Sequence, residues 1–107
     1  MGEMNKHNSY LAGECNVTGN YVFGFGKGLG INADYAAGFG QENTIEEYGF
    51  SAGYKNSTGI AAASFGKENT AEELAAVFGK KNEAAKGAIA AGLINKASGL
   101  YSVAFGH

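Results

Sequence analysis

The chain contains no proline, no tryptophan and no arginine, and it has a single cysteine, Cys15. Nucleic-acid binders carry a basic surplus with arginine to fork onto phosphate or guanine, whereas this chain sets 8 lysines against 10 acids. Nucleic acid is therefore excluded as a partner class. One cysteine closes no internal disulfide, and a free thiol fits cytosolic assembly better than secretion. Histidine and cysteine never cluster at metal-ligand spacing, so no metal and no cofactor are expected. No apolar run approaches the roughly 18 residues of a membrane helix, and residues 1–12 lack the charged-then-apolar layout of a secretory signal. The expectation is export by other means or a segment cut from something larger. Large apolar side chains are also scarce, since Leu, Ile, Val and Phe together number 21 of 107 residues. Such a composition signals disorder when net charge is high, but here the formal charge is only −2.

What is abundant is small. Gly and Ala contribute 18 residues each, which suits a single domain ordered by close backbone packing and usually by repetition. An apolar or small run ending in glycine recurs at Gly13, Gly26, Gly40, Gly53, Gly66, Gly79, Gly92 and Gly106, at intervals of 13, 14, 13, 13, 13, 13 and 14. The residue before each glycine is only ever Ala or Phe. Three residues after it stands Asn in six of seven coils: Asn16, Asn43, Asn56, Asn69, Asn82 and Asn95. The exception follows Gly26, where Leu29 takes that place and the coil holds one residue more.

Inside each repeat the period is two, which marks a strand with unlike faces. Positions −4 and −2 from the glycine are mostly small, the −2 row running Leu11, Gly24, Gly38, Ser51, Ser64, Val77, Ala90 and Ala104. Positions −3 and −1 carry the aromatic and larger aliphatic residues. Those two rows compensate: where −1 is Ala12, Ala52 or Ala91, −3 is Tyr10, Phe50 or Ile89, and where −1 is Phe, −3 is Ala in three of five coils. Near-constant volume is what a packed layer requires. A second short strand follows the asparagine, with Thr18, Ile31, Ile45, Thr58, Ala71, Ala84 and Ala97 in one slot. Asn and the recurrent Gly are assigned to the two turns, because both accept the left-handed backbone of tight corners.

A coil of 13–14 extended residues has a perimeter of about 45 Å, enough for two strands of 4–5 residues and two tight turns. The expected fold is all-β: a single-domain parallel β-roll solenoid of about eight coils, spanning 9–107 after an N-terminal extension at 1–8. At about 4.8 Å per coil it forms a rod of roughly 40 Å. Gly24, Gly38, Ser51, Ser64, Val77, Ala90 and Ala104 line its interior, and only small residues are expected to fit between sheets so close. The −1 and −3 rows make an apolar stripe outside one sheet, an aggregation hazard unless a second copy covers it. Hexapeptide helices, calcium rolls and leucine-rich repeats need other coil lengths or more aspartate.

Ser102-Val103-Ala104-Phe105-Gly106, preceded by Asn95-Lys96-Ala97-Ser98-Gly99, resembles the head repeat of trimeric autotransporter adhesins, and the likeness runs from about Ser9 to Gly106. That resemblance implies a left-handed roll and a homotrimer with the stripe at its axis. The axis-facing residues would be Tyr10, Phe23, Phe25, Phe39, Phe50, Phe65, Phe78, Ile89, Val103 and Phe105. Phe stands where the family has Ile at five of eight −1 positions, which implies a wider or differently tilted axis. Related rolls occur in phage tail fibres.

No catalytic constellation emerges, and no enzyme is expected. Gly24-Phe25-Gly26-Lys27-Gly28-Leu29 lacks the spacing of a phosphate loop and is read as a turn with one inserted residue. Glu46-Glu47 and Glu72-Glu73 read as a solvated face that deters edge pairing. His7 and His107 are terminal residues, Cys15 is an exposed and incidental thiol, and Tyr48, Tyr54 and Tyr101 lie on or near turns. The functional expectation is a structural and adhesive module on a bacterial surface or a virion, attaching to a host surface protein or glycan. The alternative is an architectural spacer or trimerisation segment of a tail fibre. An ice-binding monomer would want a full threonine row, which is missing.

Overall fold

Each 13-residue repeat lays down one longer and one two-residue strand, and successive repeats stack in register. A computed structural model describes residues 2–3, 10–17, 19 and 21–107, and these are all-β with no helix. In chain order the strands are β1 (Gly2–Glu3), β2 (Tyr10–Val17), β3 (Phe23–Ile31), β4 (Ala37–Gln41), β5 (Thr44–Ile45), β6 (Phe50–Tyr54) and β7 (Ser57–Thr58). They continue as β8 (Ala63–Lys67), β9 (Thr70–Ala71), β10 (Ala76–Lys80), β11 (Glu83–Ala84), β12 (Ile89–Leu93), β13 (Lys96–Ala97) and β14 (Val103–Gly106). One sheet runs β3-β4-β6-β8-β10-β12-β14 and the other β3-β5-β7-β9-β11-β13, all parallel, joined because β3 continues through the corner into both. The anchor glycines stay in step, Gly53 opposite Gly66 and Gly66 opposite Gly79. The result is a parallel β-solenoid of 40 × 20 × 11 Å. Within 1–8, Gly2 and Glu3 pair antiparallel with β2.

The anchor glycines from Gly13 to Gly92 lie inside strands, and only Gly106 ends one. Gly66 has φ of 123°, and a Cβ there would run into the carbonyl of Gly79 in the next coil. Only glycine meets both conditions, the left-handed backbone and the close approach. The asparagines depart from expectation. The left-handed residue at that corner is the one before: Glu42, Lys55, Glu68, Lys81 and Ile94 have φ of 55–57°. Asn43, Asn56, Asn69 and Asn82 are instead buried. Their side chains bond corner carbonyls of two adjoining coils, so polarity rather than backbone tolerance selects asparagine.

The side chain of Asn69 shows the pattern. Its Nδ2 donates to the carbonyls of Phe65 and Gly79, both at 2.9 Å, and its Oδ1 accepts the Asn82 backbone N–H at 3.0 Å. Repeated at Asn43, Asn56 and Asn82, this forms an amide ladder up the interior. Leu29, fully buried, occupies the same level below Asn43. In the first coil the register shifts between Glu14 and Cys15, so that Cys15 pairs with Leu29, Asn16 with Gly30 and Val17 with Ile31. Position 15 thus takes the place expected for Asn16, and position 17 that expected for Thr18; the side chains of both asparagine-row candidates, like Thr18 itself, lie outside the described residues. The extra residue of the Gly26 coil falls in the opposite turn, at 32–35, because Gly30 and Ile31 remain in step with Thr44 and Ile45.

The interior is less uniformly small than the composition suggests. Leu11, Val22, Leu29, Ile31 and Ile45 are buried in the first half, and they fit because glycine faces them: a Cβ on Gly38 would meet the methyl of Ile45. Large opposite absent side chain conserves volume across the narrow gap. The second half packs Ala62, Ala71, Ala75, Val77, Ala84, Ala88, Ala90 and Ala97 into a separate cluster.

Candidate functional site

The outward side chains of the longer sheet form a single aromatic file. Phe25, Phe39, Phe50, Phe65 and Phe78 follow one another at centroid separations of 5.4, 5.6, 5.3 and 5.2 Å. The file runs in the −1 row except at Phe50, which stands in the −3 row and fills the space that Ala52 leaves. Phe25 stacks on Phe39 and Phe65 on Phe78, while Phe50 is tilted against both its neighbours, so the rings cover one another along the sheet and leave the outer surface open: Phe23, Phe50, Phe78, Ile89, Val103 and Phe105 are all exposed. Phe25, Phe39 and Phe65 are half-buried. The side chain of Tyr10 lies outside the described residues. Of the expected interior row, Gly24, Gly38, Ser51, Ser64, Val77 and Ala90 are buried, and Ala104 in the last coil is half-buried.

Two corners border this face. At one, a four-residue turn closes each coil, with Gly49 N–H donating to Glu46 O and Ala75 N–H to Glu72 O at 3.0 Å. The residue in its left-handed position is Tyr21, Tyr35, Tyr48, Ala61, Leu74, Gly87 or Tyr101. Tyr21, Tyr35 and Tyr48 stack with centroids 4.9 and 5.6 Å apart. Tyr48 and Tyr101 are expected at turns from the sequence and Tyr21 and Tyr35 are not, although all four stand five residues before an anchor glycine and so share one row. This corner also carries Asp34, Glu46, Glu47, Glu72 and Glu73. A shallow concavity of about 610 Å³ beside it is lined by Asp34, Glu46, Glu47 and Ile60 among others.

The opposite corner carries Lys27, Lys55, Lys67, Lys80 and Lys81 with Glu42 and Glu68. Here the charges alternate up the left-handed row, with Lys55–Glu42 and Lys81–Glu68 contacts of 3.9 Å. The ammonium groups of Lys55 and Lys67 lie 5.3 and 5.7 Å from the centre of the Tyr54 ring. Tyr54 first, and Glu42 after it, raise Lys55 above its ordinary 10.5.

Residues 24–29 are strand, not a loop ahead of a helix, so no phosphate cradle forms. Among the described residues no three His, Cys, Asp or Glu side chains come together to hold a metal. His107 is exposed, His7 lies outside the described residues, and so does the side chain of Cys15. No helix of the described residues is long and apolar enough to cross a membrane. No protein-family model and no curated protein matches the chain.

Proposed function

We propose that this chain is a structural and adhesive module whose working form is a homotrimer, three rolls packing their phenylalanine faces about a common axis and turning their other surfaces outward. The observation that carries the reading is the continuous file of rings from Phe25 to Phe78 along one face. Apolar area of this extent marks an interaction surface, and a repetitive one buries best against a copy of itself. Three identical outer faces then raise the effective concentration of weak contacts with a host protein or glycan. No catalytic group is needed for that task, and a bacterial surface or a virion is the location that goes with it. The left-handed sense of the roll belongs to the same reading, through the adhesin resemblance.

Light scattering on a sizing column, with reductant present, tests it. The expected mass is about 33 kDa, three times the 11.0 kDa chain. Phe65→Lys, at a half-buried outward position, is expected to return the protein to 11.0 kDa without loss of β structure. A wild-type monomer at all concentrations would sink the trimer.

A further inference from the structure

The two corners flanking the phenylalanine face hold complementary charges, several of which are in no ion pair within the described residues, although Lys67 lies over the Tyr54 ring. On the turn corner, Glu73 pairs with Lys86 at 3.4 Å. Among the described residues Glu46, Glu47 and Glu72 are in no ion pair. On the opposite corner Lys55 and Lys81 are taken by Glu42 and Glu68. Lys27, Lys67 and Lys80 are in none. The two sets sit at opposite edges of a roll 20 Å across, beyond the roughly 8 Å over which charges interact at physiological salt. They therefore do not neutralise one another inside one molecule.

Heights along the rod match as well. Each turn-corner residue lies between the coil it closes and the next, so Glu72 stands at the level between Lys67 and Lys80. Glu46 and Glu47 stand between Gln41 and Tyr54, with Lys27 and Lys67 each about one and a half coils, ~7 Å, along the rod and within reach of long side chains. Rotation about an axis along the rod brings the acidic corner of one copy beside the lysine corner of another. A copy running the opposite way sets acid against acid and lysine against lysine, which repels.

We infer that Glu46, Glu47 and Glu72 of one copy lie against Lys27, Lys67 and Lys80 of a second copy running in the same direction, latching the two edges of the phenylalanine interface. This rests on the self-association proposed above and specifies its partner surface. The apolar file supplies area, and the corners supply direction, since charged rims select orientation more than they add affinity.

Sedimentation of the full chain at about 0.05 M and about 0.5 M sodium chloride is the first test, with association expected to weaken about tenfold or more at the higher salt. The triple variant Glu46→Lys, Glu47→Lys, Glu72→Lys is expected to lose at least about tenfold in association at low salt. Adding Lys27→Glu, Lys67→Glu and Lys80→Glu swaps the corners and is expected to restore association to within about twofold. All six sites are exposed, and circular dichroism checks that each variant keeps its fold. Association that ignores salt and the triple substitution, yet is abolished by Phe65→Lys, overturns the latch and leaves the self-association reading standing. A swapped variant that stays dispersed overturns the same-direction arrangement. A wild-type chain that never associates overturns both.

Discussion

Gly66 carries two constraints at once, and Gly106 carries one of them. At Gly66 the backbone is left-handed and the next coil's carbonyl fills the space a side chain would need. Gly106 has nearly the same φ, 121° against 123°, but nothing within 4 Å of a Cβ position. The pair separates backbone strain from steric exclusion. Gly106→Ala is expected to cost about 1 kcal/mol, the usual penalty for a left-handed alanine. Gly66→Ala is expected to cost more than about 3 kcal/mol, because two stacked backbones must move apart. Denaturant midpoints of the two variants check this, and equal losses would mean that the close approach contributes nothing.

Among the elements, the asparagine ladder is what ties one coil to the next inside the corner. Each side chain bonds its own coil and the one above, so removal of a single amide strands groups in both. Asn69→Leu keeps the branched shape, though it is larger, and Leu29 already shows that a leucine fits this level when buried. It leaves the carbonyls of Phe65 and Gly79 without that donor and the Asn82 N–H without its acceptor. A loss of about 3 kcal/mol in urea unfolding is expected, from unpaired buried groups at about 1–3 kcal/mol each with partial relaxation. A loss under about 0.5 kcal/mol would show that the ladder only fills space.

Across the whole molecule the core is divided. One apolar cluster runs from Leu11 to Ile45 and another from Ala62 to Ala97. The coil between them buries Ser51 and Thr58, followed by Ser64, and the hydroxyls of all three lack a hydrogen-bond partner. In a stack where each coil contacts only its neighbours, such a seam weakens the coupling between halves. Native-state hydrogen exchange is expected to resolve two opening free energies, one for 23–45 and one for 63–97. Thr58→Val, which replaces a buried hydroxyl by a methyl, is expected to stabilise by about 1 kcal/mol and narrow the difference. A single opening energy in the wild-type chain would count against the seam.

Much of this architecture is legible in the sequence because the repeat is short and its marks are chemical. Gly at intervals of 13 or 14 and small residues at alternate positions determine strand, stacking and an outward aromatic row, since period and side-chain volume are local properties. The asparagine row is visible as well, but its role is not: a polar residue beside a turn reads as a turn residue until carbonyls of two coils are seen to converge on it. The shift at Cys15 escaped for a similar reason, because only pairing with β3 reveals that position 28 has no counterpart in β2. The tertiary structure alone decided which charges pair. Glu73 finds Lys86 thirteen residues on, whereas Glu72 beside it finds none, because stacking makes neighbours of residues one coil apart and sets the two corners beyond each other's reach.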